Sequence, residues 1–217
     1  MALSKLTYNS LNVTAAANKG IGFDSGADDL STDFAGGSMR FISKFTSDGS
    51  DATASITSGI DSTYKEYIFI FKNIHPEEDG DDSLFTFNGS TDSGSNYNVT
   101  KTTTAFNVIH PENDAETSLN YQAGRDLAQS TAFQNIGVEM GADNDQNLGG
   151  YLHLFNPSST TFVKHFMGSA QYNQASDYSY ATHIAGYFNT TSAVDAIQFK
   201  FGTGEIQGGT ITLYGIN

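Results

Sequence analysis

The chain has 217 residues, with 24 acidic side chains against 10 basic ones and a formal net charge of −14. This acidic balance argues against partners such as nucleic acid and anionic membranes. The absence of cysteine excludes disulfides, thiolate metal sites and cysteine nucleophiles. The length suits one all-β domain, since such domains reach about 200–250 residues. The 22 Gly, 16 Phe and 11 Tyr favour strands joined by turns.

The first forty residues differ in pattern from the rest of the chain. The start has one lysine and no long apolar run, so we expect no secretory signal peptide. No later stretch has the length of a membrane span. Residues 15–37 are rich in Gly, Ala and Asp and have weak periodicity. We therefore predict an N-terminal arm or long loop over residues 1–37 and a single sandwich domain over residues 38–217.

From residue 39 onward, apolar side chains recur with the period of two that is typical of half-buried strands. Met39, Phe41 and Phe45 fall on one face of the first such segment. The same alternation occurs later at Phe85 and Phe87, at Ile197, Phe199 and Phe201, and at Ile211 and Leu213. Turn-forming residues separate about ten such segments, which predicts an antiparallel β-sandwich of jelly-roll type. One short helix is predicted around residues 125–133.

Residues 67–71 are apolar on both faces, and residues 151–155 are nearly so. A strand of this kind has to be covered on both sides. We expect a second sheet to cover one side and either another layer or another subunit to cover the other, and we favour the subunit. The predicted subunit contact consists of Tyr67, Phe69 and Phe71.

A short motif, Ile-His-Pro-Glu, occurs at residues 74–77 and again at residues 109–112. Both copies follow a strand-like run. One interpretation is that His75 and His110 meet at a metal ion together with the two glutamates. The alternative is that each histidine hydrogen-bonds within one of two similar strand-to-loop corners. We favour the corners and predict no metal or other cofactor.

The sequence contains no complete catalytic or calcium-binding motif. The acidic run at residues 143–147 begins like a calcium loop and then departs from it at Leu148 and Leu154. A surface ion and a solvated loop are both compatible with this run. Glu66 and Glu139 are the residues to weigh as a glycosidase carboxylate pair, but nothing places them face to face. No nucleophile elbow, P-loop or dinucleotide motif is present, so we predict a protein that is not an enzyme.

Three tyrosines, Tyr172, Tyr178 and Tyr180, lie together in a polar stretch. Exposed aromatic rings of this kind stack on sugars in many β-sandwiches, which is an analogy at the level of the fold. The three residues are therefore the candidate glycan contact. The absence of Trp from the chain counts against this interpretation, and most of the phenylalanines are expected in the core.

Five segments carry a recognisable pattern: residues 58–69, 121–131, 151–165, 186–193 and 209–215. They resemble a widespread family of small virion-associated proteins in marine tailed bacteriophages. The resemblance covers most of the chain from about residue 38 onward. It carries no catalytic or ligand-binding motif, so it assigns no site residue.

The resemblance implies a structural role on the virion, with assembly in the cytoplasm of the bacterial host, where disulfides are not needed. The implied partners are copies of the same chain in a homotrimer, and other virion proteins such as the major capsid protein or tail proteins. Two positions on the virion are open. A capsid decoration protein would grip the capsid with its arm, whereas a tail-fibre or spike tip would recognise a host-surface glycan. The absence of heptads and shaft repeats favours decoration.

Overall fold

A computed structural model describes Gly22–Phe23, Leu30–Ser31 and residues 38–217 of the chain. The chain divides into two units, Met1–Arg40 and Phe41–Asn217. Within the first unit, β1 (Gly22–Phe23) and β2 (Leu30–Ser31) pair as antiparallel strands. The arm predicted over residues 1–37 otherwise lies outside the described residues and stays a prediction.

Twelve further strands follow in chain order. They are β3 (Met39–Thr46), β4 (Ala54–Ile56), β5 (Glu66–Pro76), β6 (Phe85–Ser90), β7 (Lys101–Pro111), β8 (Ser118–Tyr121), β9 (Gln134–Gly137), β10 (Leu148–Phe155), β11 (Lys164–Gln174), β12 (Tyr178–Phe188), β13 (Ala196–Lys200) and β14 (Ile206–Ile216). No helix occurs among the described residues. The prediction of an all-β fold is therefore confirmed.

These strands form two antiparallel sheets of unequal size. The large sheet has eight strands in the order β3-β14-β5-β10-β11-β12-β7-β8, and the small sheet has four in the order β4-β13-β6-β9. Strands β10, β11 and β12 are consecutive both in the chain and in the large sheet, as in a meander. The two sheets give a sandwich-like fold, and the jelly-roll topology stays a prediction.

Phenylalanines from both sheets interlock in the core. Phe69 and Phe71 on β5 contact Phe199 on β13, with ring centroids 5.3 and 5.2 Å apart. Phe87 on β6 contacts Phe166 on β11 at 5.1 Å. These rings meet edge to face, which is a favoured arrangement of aromatic pairs. The apolar faces predicted for β6, β13 and β14 are buried and are confirmed.

The face predicted for β3 is wrong. Phe41 is 62% exposed, whereas Ile42 and Phe45 pack against the core. A regular strand turns alternate residues to the same side. Two inward residues three positions apart therefore mean that the alternation breaks between them, so Phe41 and Phe45 do not share a face.

The short helix predicted around residues 125–133 is also wrong. Only a turn forms there, and the backbone then pairs with β7. The Thr103 backbone N–H donates to the carbonyl of Leu127, and the Leu127 N–H donates to the Thr103 hydroxyl. Gln129 then adopts a left-handed φ of 49°. Hydrogen bonds to a neighbouring strand replace the intrahelical bonds that a helix would need.

Both copies of the Ile-His-Pro-Glu motif mark the end of a strand. Strand β5 ends at Pro76 and strand β7 ends at Pro111. Proline has no backbone N–H to donate to a neighbouring strand, so it is suited to the end of a strand. The two strand-to-loop corners that the repeat predicts are present in the structure.

Candidate functional site

The large sheet has a side that points away from the small sheet, and we call it the outer face. On β11 the alternation is regular: Phe166 is buried in the core, whereas the neighbouring Met167 is 51% exposed. The main side chains of the outer face are Phe41, Tyr214, Ile68, Ile70, Tyr151, His153, Phe155, His165, Met167, His183, Ala185, Tyr187, Thr102, Thr104, Phe106, Val108, Leu119 and Tyr121.

The strand register aligns one row of the outer face across five strands. In order from β10 to β8, the row consists of Tyr151, Ser169, His183, Phe106 and Tyr121. Directly opposed residues on paired strands point to the same side of the sheet and contact each other. The row therefore forms a continuous surface that is mostly aromatic.

Two adjoining grooves run along the outer face, and Met167 lines both of them. The first has a volume of about 240 Å³ and lies between Tyr151 and Phe106. The second has a volume of about 370 Å³ and is lined by His165 and Tyr187. Both are shallow surface features rather than enclosed cavities. Such a surface suits a broad contact better than a small buried ligand.

Three histidines lie on the outer face, each in contact with a neighbouring side chain. His183 stacks on Phe106 with ring centroids 4.9 Å apart. His153 forms a hydrogen bond with the carboxylate of Glu66 at 2.5 Å between Nδ1 and Oε1. His165 lies 6.0 Å from the ring of its cross-strand neighbour Tyr187.

Acidic residues are almost excluded from the strands. Glu66, the first residue of β5, is the sole Asp or Glu within strands β3 to β14. Strands β10, β12 and β14 contain no charged residue at all, and the lysines of β7 and β11 point inward. The negative charge of the described residues therefore lies almost entirely on loops and turns, and Glu66 is the one carboxylate that strands β3 to β14 bring to the outer face.

The predicted subunit contact lies inside the core. Tyr67, Phe69 and Phe71 are all 2% exposed or less, because their side of β5 faces the small sheet. The side chains of this strand that point outward are Ile68 and Ile70, which meet Tyr214 and Thr212 of β14. The segment is apolar on both faces, as the sequence indicates, and Ile70 is the more accessible of the two outward residues, since Ile68 is only 7% exposed.

The three tyrosines of the candidate glycan contact do not form an exposed platform. Tyr172 is buried, and its hydroxyl accepts a hydrogen bond from the Val138 backbone N–H at 3.1 Å. Burial raises the pKa of Tyr172. Tyr180 is half-buried beside Tyr172. Its pKa is raised mainly by burial and to a lesser extent by the nearby Glu139 carboxylate. Tyr178 is half-buried as well.

The histidines of the repeated motif bind separate partners. The His75 ring shares a hydrogen bond of 2.7 Å with the Gln146 carbonyl, and His110 contacts the Asp114 carboxylate at 2.9 Å. Among the residues that the structure describes, no group of three or more His, Asp or Glu is placed to hold a metal ion. His110 thus bonds within its own corner, whereas His75 bonds to a different loop 71 residues further along the chain.

The two carboxylates weighed as a catalytic pair are also separately engaged. Glu66 contacts His153 on the outer face, whereas Glu139 forms an ion pair of 2.9 Å with Arg125. Glu139 adopts a left-handed φ of 52° and follows the small sheet. The structure thus does not pair Glu66 with Glu139.

Two buried lysines were not singled out by the sequence. Lys101 and Lys164 are both fully buried, and both lie opposite Phe188 in the strand register. The Lys101 ammonium donates to the Ala132 carbonyl, and burial lowers its pKa from 10.5 to about 7. Burial also lowers the pKa of Lys164, whose ammonium donates to two backbone carbonyls.

Comparison with protein families, with curated proteins and with solved structures finds no match for this chain. The described residues include no helix long and apolar enough to cross a membrane. The fold and its outer face define the chain as a two-sheet all-β protein with a broad apolar surface.

Proposed function

We propose that the chain is a non-enzymatic structural protein on the surface of a tailed-phage virion, and specifically a capsid decoration protein. The observation that carries the proposal is the outer face, which is broad, apolar and nearly free of charge. Monomeric soluble proteins rarely leave a large apolar patch uncovered, and such patches mark interaction sites. The resemblance to virion-associated phage proteins is the reason for proposing that this surface acts on a virion.

The geometry of the ionisable groups supports a passive role. On the outer face, Glu66 and His153 are bound to each other. His183 stacks on Phe106, and His165 meets the ring of Tyr187 edge to face. The grooves between them are shallow and lined mainly by apolar side chains. A structural protein that acts only by binding its neighbours needs no catalytic groups.

A jelly-roll sandwich assembled as a homotrimer completes the proposal. Two observations support that topology. The strands form two antiparallel sheets, and β5 and β7 each end at a copy of the Ile-His-Pro-Glu motif. Decoration proteins of this kind assemble inside the bacterial host and contact the major capsid protein. The arm over residues 1–37 is the segment we assign to that contact.

Copy number on purified virions tests this function. We expect hundreds of copies per particle, located on the head by immunogold labelling and counted by quantitative mass spectrometry. A chain that lacks residues 1–37 is expected to fold, since Phe41–Asn217 is a separate unit, and to fail to join the particle. Complete absence of the protein from purified particles contradicts the virion proposal.

A tail-fibre or spike tip that binds host glycan is the second candidate. The observation that favours it is the groove between Tyr151 and Phe106, where aromatic rings lie beside the polar groups of His183 and Thr104. Sugar rings bind to aromatic faces flanked by hydrogen-bonding groups. A few dozen copies or fewer at the tail, together with a binder on a glycan array that is lost in Tyr151→Ala, identify this candidate instead.

A further inference from the structure

We infer that the outer face is the surface through which copies of this chain pack against one another. The inference deepens the proposed function, because it names the partner that covers this face. It replaces Tyr67, Phe69 and Phe71 as the subunit contact by exposed residues centred on Met167 and Phe106.

Strand β7 turns apolar side chains to the outer face and polar side chains to the core. Its outward residues include Phe106 and Val108, each 43% exposed, whereas its inward residues include Lys101, Thr103 and Asn107. A strand buried on one face normally turns its apolar side inward. Here the polar side is buried and the apolar side faces outward, as expected if that side is covered as well.

The exposed apolar residues concentrate on this one surface. Nine large hydrophobic side chains are exposed in the described part of the chain. Seven of them lie on the outer face: Phe41, Tyr151, Met167, Phe106, Val108, Leu119 and Tyr121. Scattered exposed apolar residues need no explanation, but a contiguous group indicates a docking surface.

Charge identifies a second copy as the occupant. The outer face has no carboxylate across β10, β11, β12 and β7 to attract a basic partner, because the acidic residues near these four strands in the chain lie on loops and turns. The surface that meets it therefore has to be uncharged and apolar too, and the outer face of another copy meets that requirement. The face also carries both protrusions and recesses, since Met167 and Phe106 stand beside the two grooves.

The dimensions of the face suffice for such a contact. Seven strands, from β14 to β8, spaced by about 4.8 Å, give a width of about 30 Å. The rows from Thr102 to Val108 span about 20 Å at about 3.3 Å per residue. Each copy then contributes about 600 Å², and a pair buries about 1,200 Å², the lower bound for stable interfaces.

The first experiment measures the mass of the full chain in solution from about 1 µM to about 500 µM. We expect an oligomer that dissociates on dilution, and we expect Met167→Glu to weaken association by about 100-fold or more, because it buries a charge. Phe162→Glu is the matched control, since Phe162 is 68% exposed on a loop outside the sheets. Circular dichroism establishes that both variants are folded.

Because the chain contains no cysteine, a second experiment uses single substitutions and a short bis-maleimide. Ala185→Cys at the centre of the outer face is expected to cross-link two copies, and Phe162→Cys is expected not to. A native chain that stays monomeric at the highest concentration overturns the inference, as does equal weakening by the two glutamate variants. Monomers that still join virions leave the role on the virion intact and remove its trimeric form, whereas oligomers absent from virions refute the virion role alone.

Discussion

Lys101 gives the stability of this protein a pH dependence that can be measured directly. The ammonium is fully buried, its hydrogen-bond acceptor is the neutral Ala132 carbonyl, and its nearest ring is Phe188 at 5.8 Å from the centroid. No carboxylate among the described residues contacts it. Burial therefore lowers its pKa from 10.5 to about 7.

The sign of the effect follows from proton binding. Between pH 7 and pH 10.5 the unfolded chain holds a proton on Lys101 that the folded chain has released. The free energy of unfolding therefore rises with pH, by up to about 1.4 kcal/mol per pH unit. From pH 7 to pH 9 the gain is about 2 kcal/mol, because the folded state is still half protonated at pH 7.

Urea unfolding at several pH values between 7 and 9 measures this gain. We expect Lys101→Met to remove the rise that Lys101 causes and so to flatten the profile. Lys72→Met is the control, because Lys72 is exposed and its replacement should leave the rise unchanged. A native profile that is flat, or one that Lys101→Met leaves equally steep, refutes this account of a buried ammonium.

Three further substitutions probe the packing, each measured by urea or thermal unfolding. Phe199→Ala empties the centre of the aromatic core and should cost about 3–5 kcal/mol; a loss below about 1 kcal/mol contradicts the described core. Gly186→Ala places a methyl group 2.6 Å from the Thr102 carbonyl and should cost about 1–3 kcal/mol, whereas an unchanged midpoint refutes that close approach. Tyr172→Phe removes the acceptor of the buried Val138 N–H and should cost about 1–2 kcal/mol, and a more stable variant would show that this bond does not contribute.

The buried faces of β6, β13 and β14 could be predicted from the sequence, because apolar residues alternate along them and the apolar side is the one that packs in the core. Ile197, Phe199 and Phe201 alternate with polar residues, and all three are buried as the pattern predicts. Segment 67–71 is apolar on both sides and segment 151–155 nearly so, which is the signature of the outer face. Periodicity does not reveal which side of such a segment faces inward, and the structure turns Tyr67 into the core.

Strand β7 shows why the rest could not be predicted. Its pattern sets Phe106 and Val108 against Lys101 and Thr103, and a rule based on hydrophobicity buries the first pair. The structure buries the second pair, because the Thr103 hydroxyl meets the Gln134 side-chain oxygen at 2.6 Å and the lysine amine finds a backbone carbonyl. Partners that lie 31 residues away in the chain decide this outcome.

Because acidic residues are almost excluded from the strands, we expect the association of copies of the chain to depend on ionic strength. Each copy carries a formal charge of −14, so two copies repel each other while their nearly uncharged outer faces approach. The range of that repulsion shrinks from about 30 Å in 0.01 M salt to about 3 Å in 1 M salt. Dilute buffer should thus keep the subunits apart, and concentrated salt should bring them together without any change in their fold.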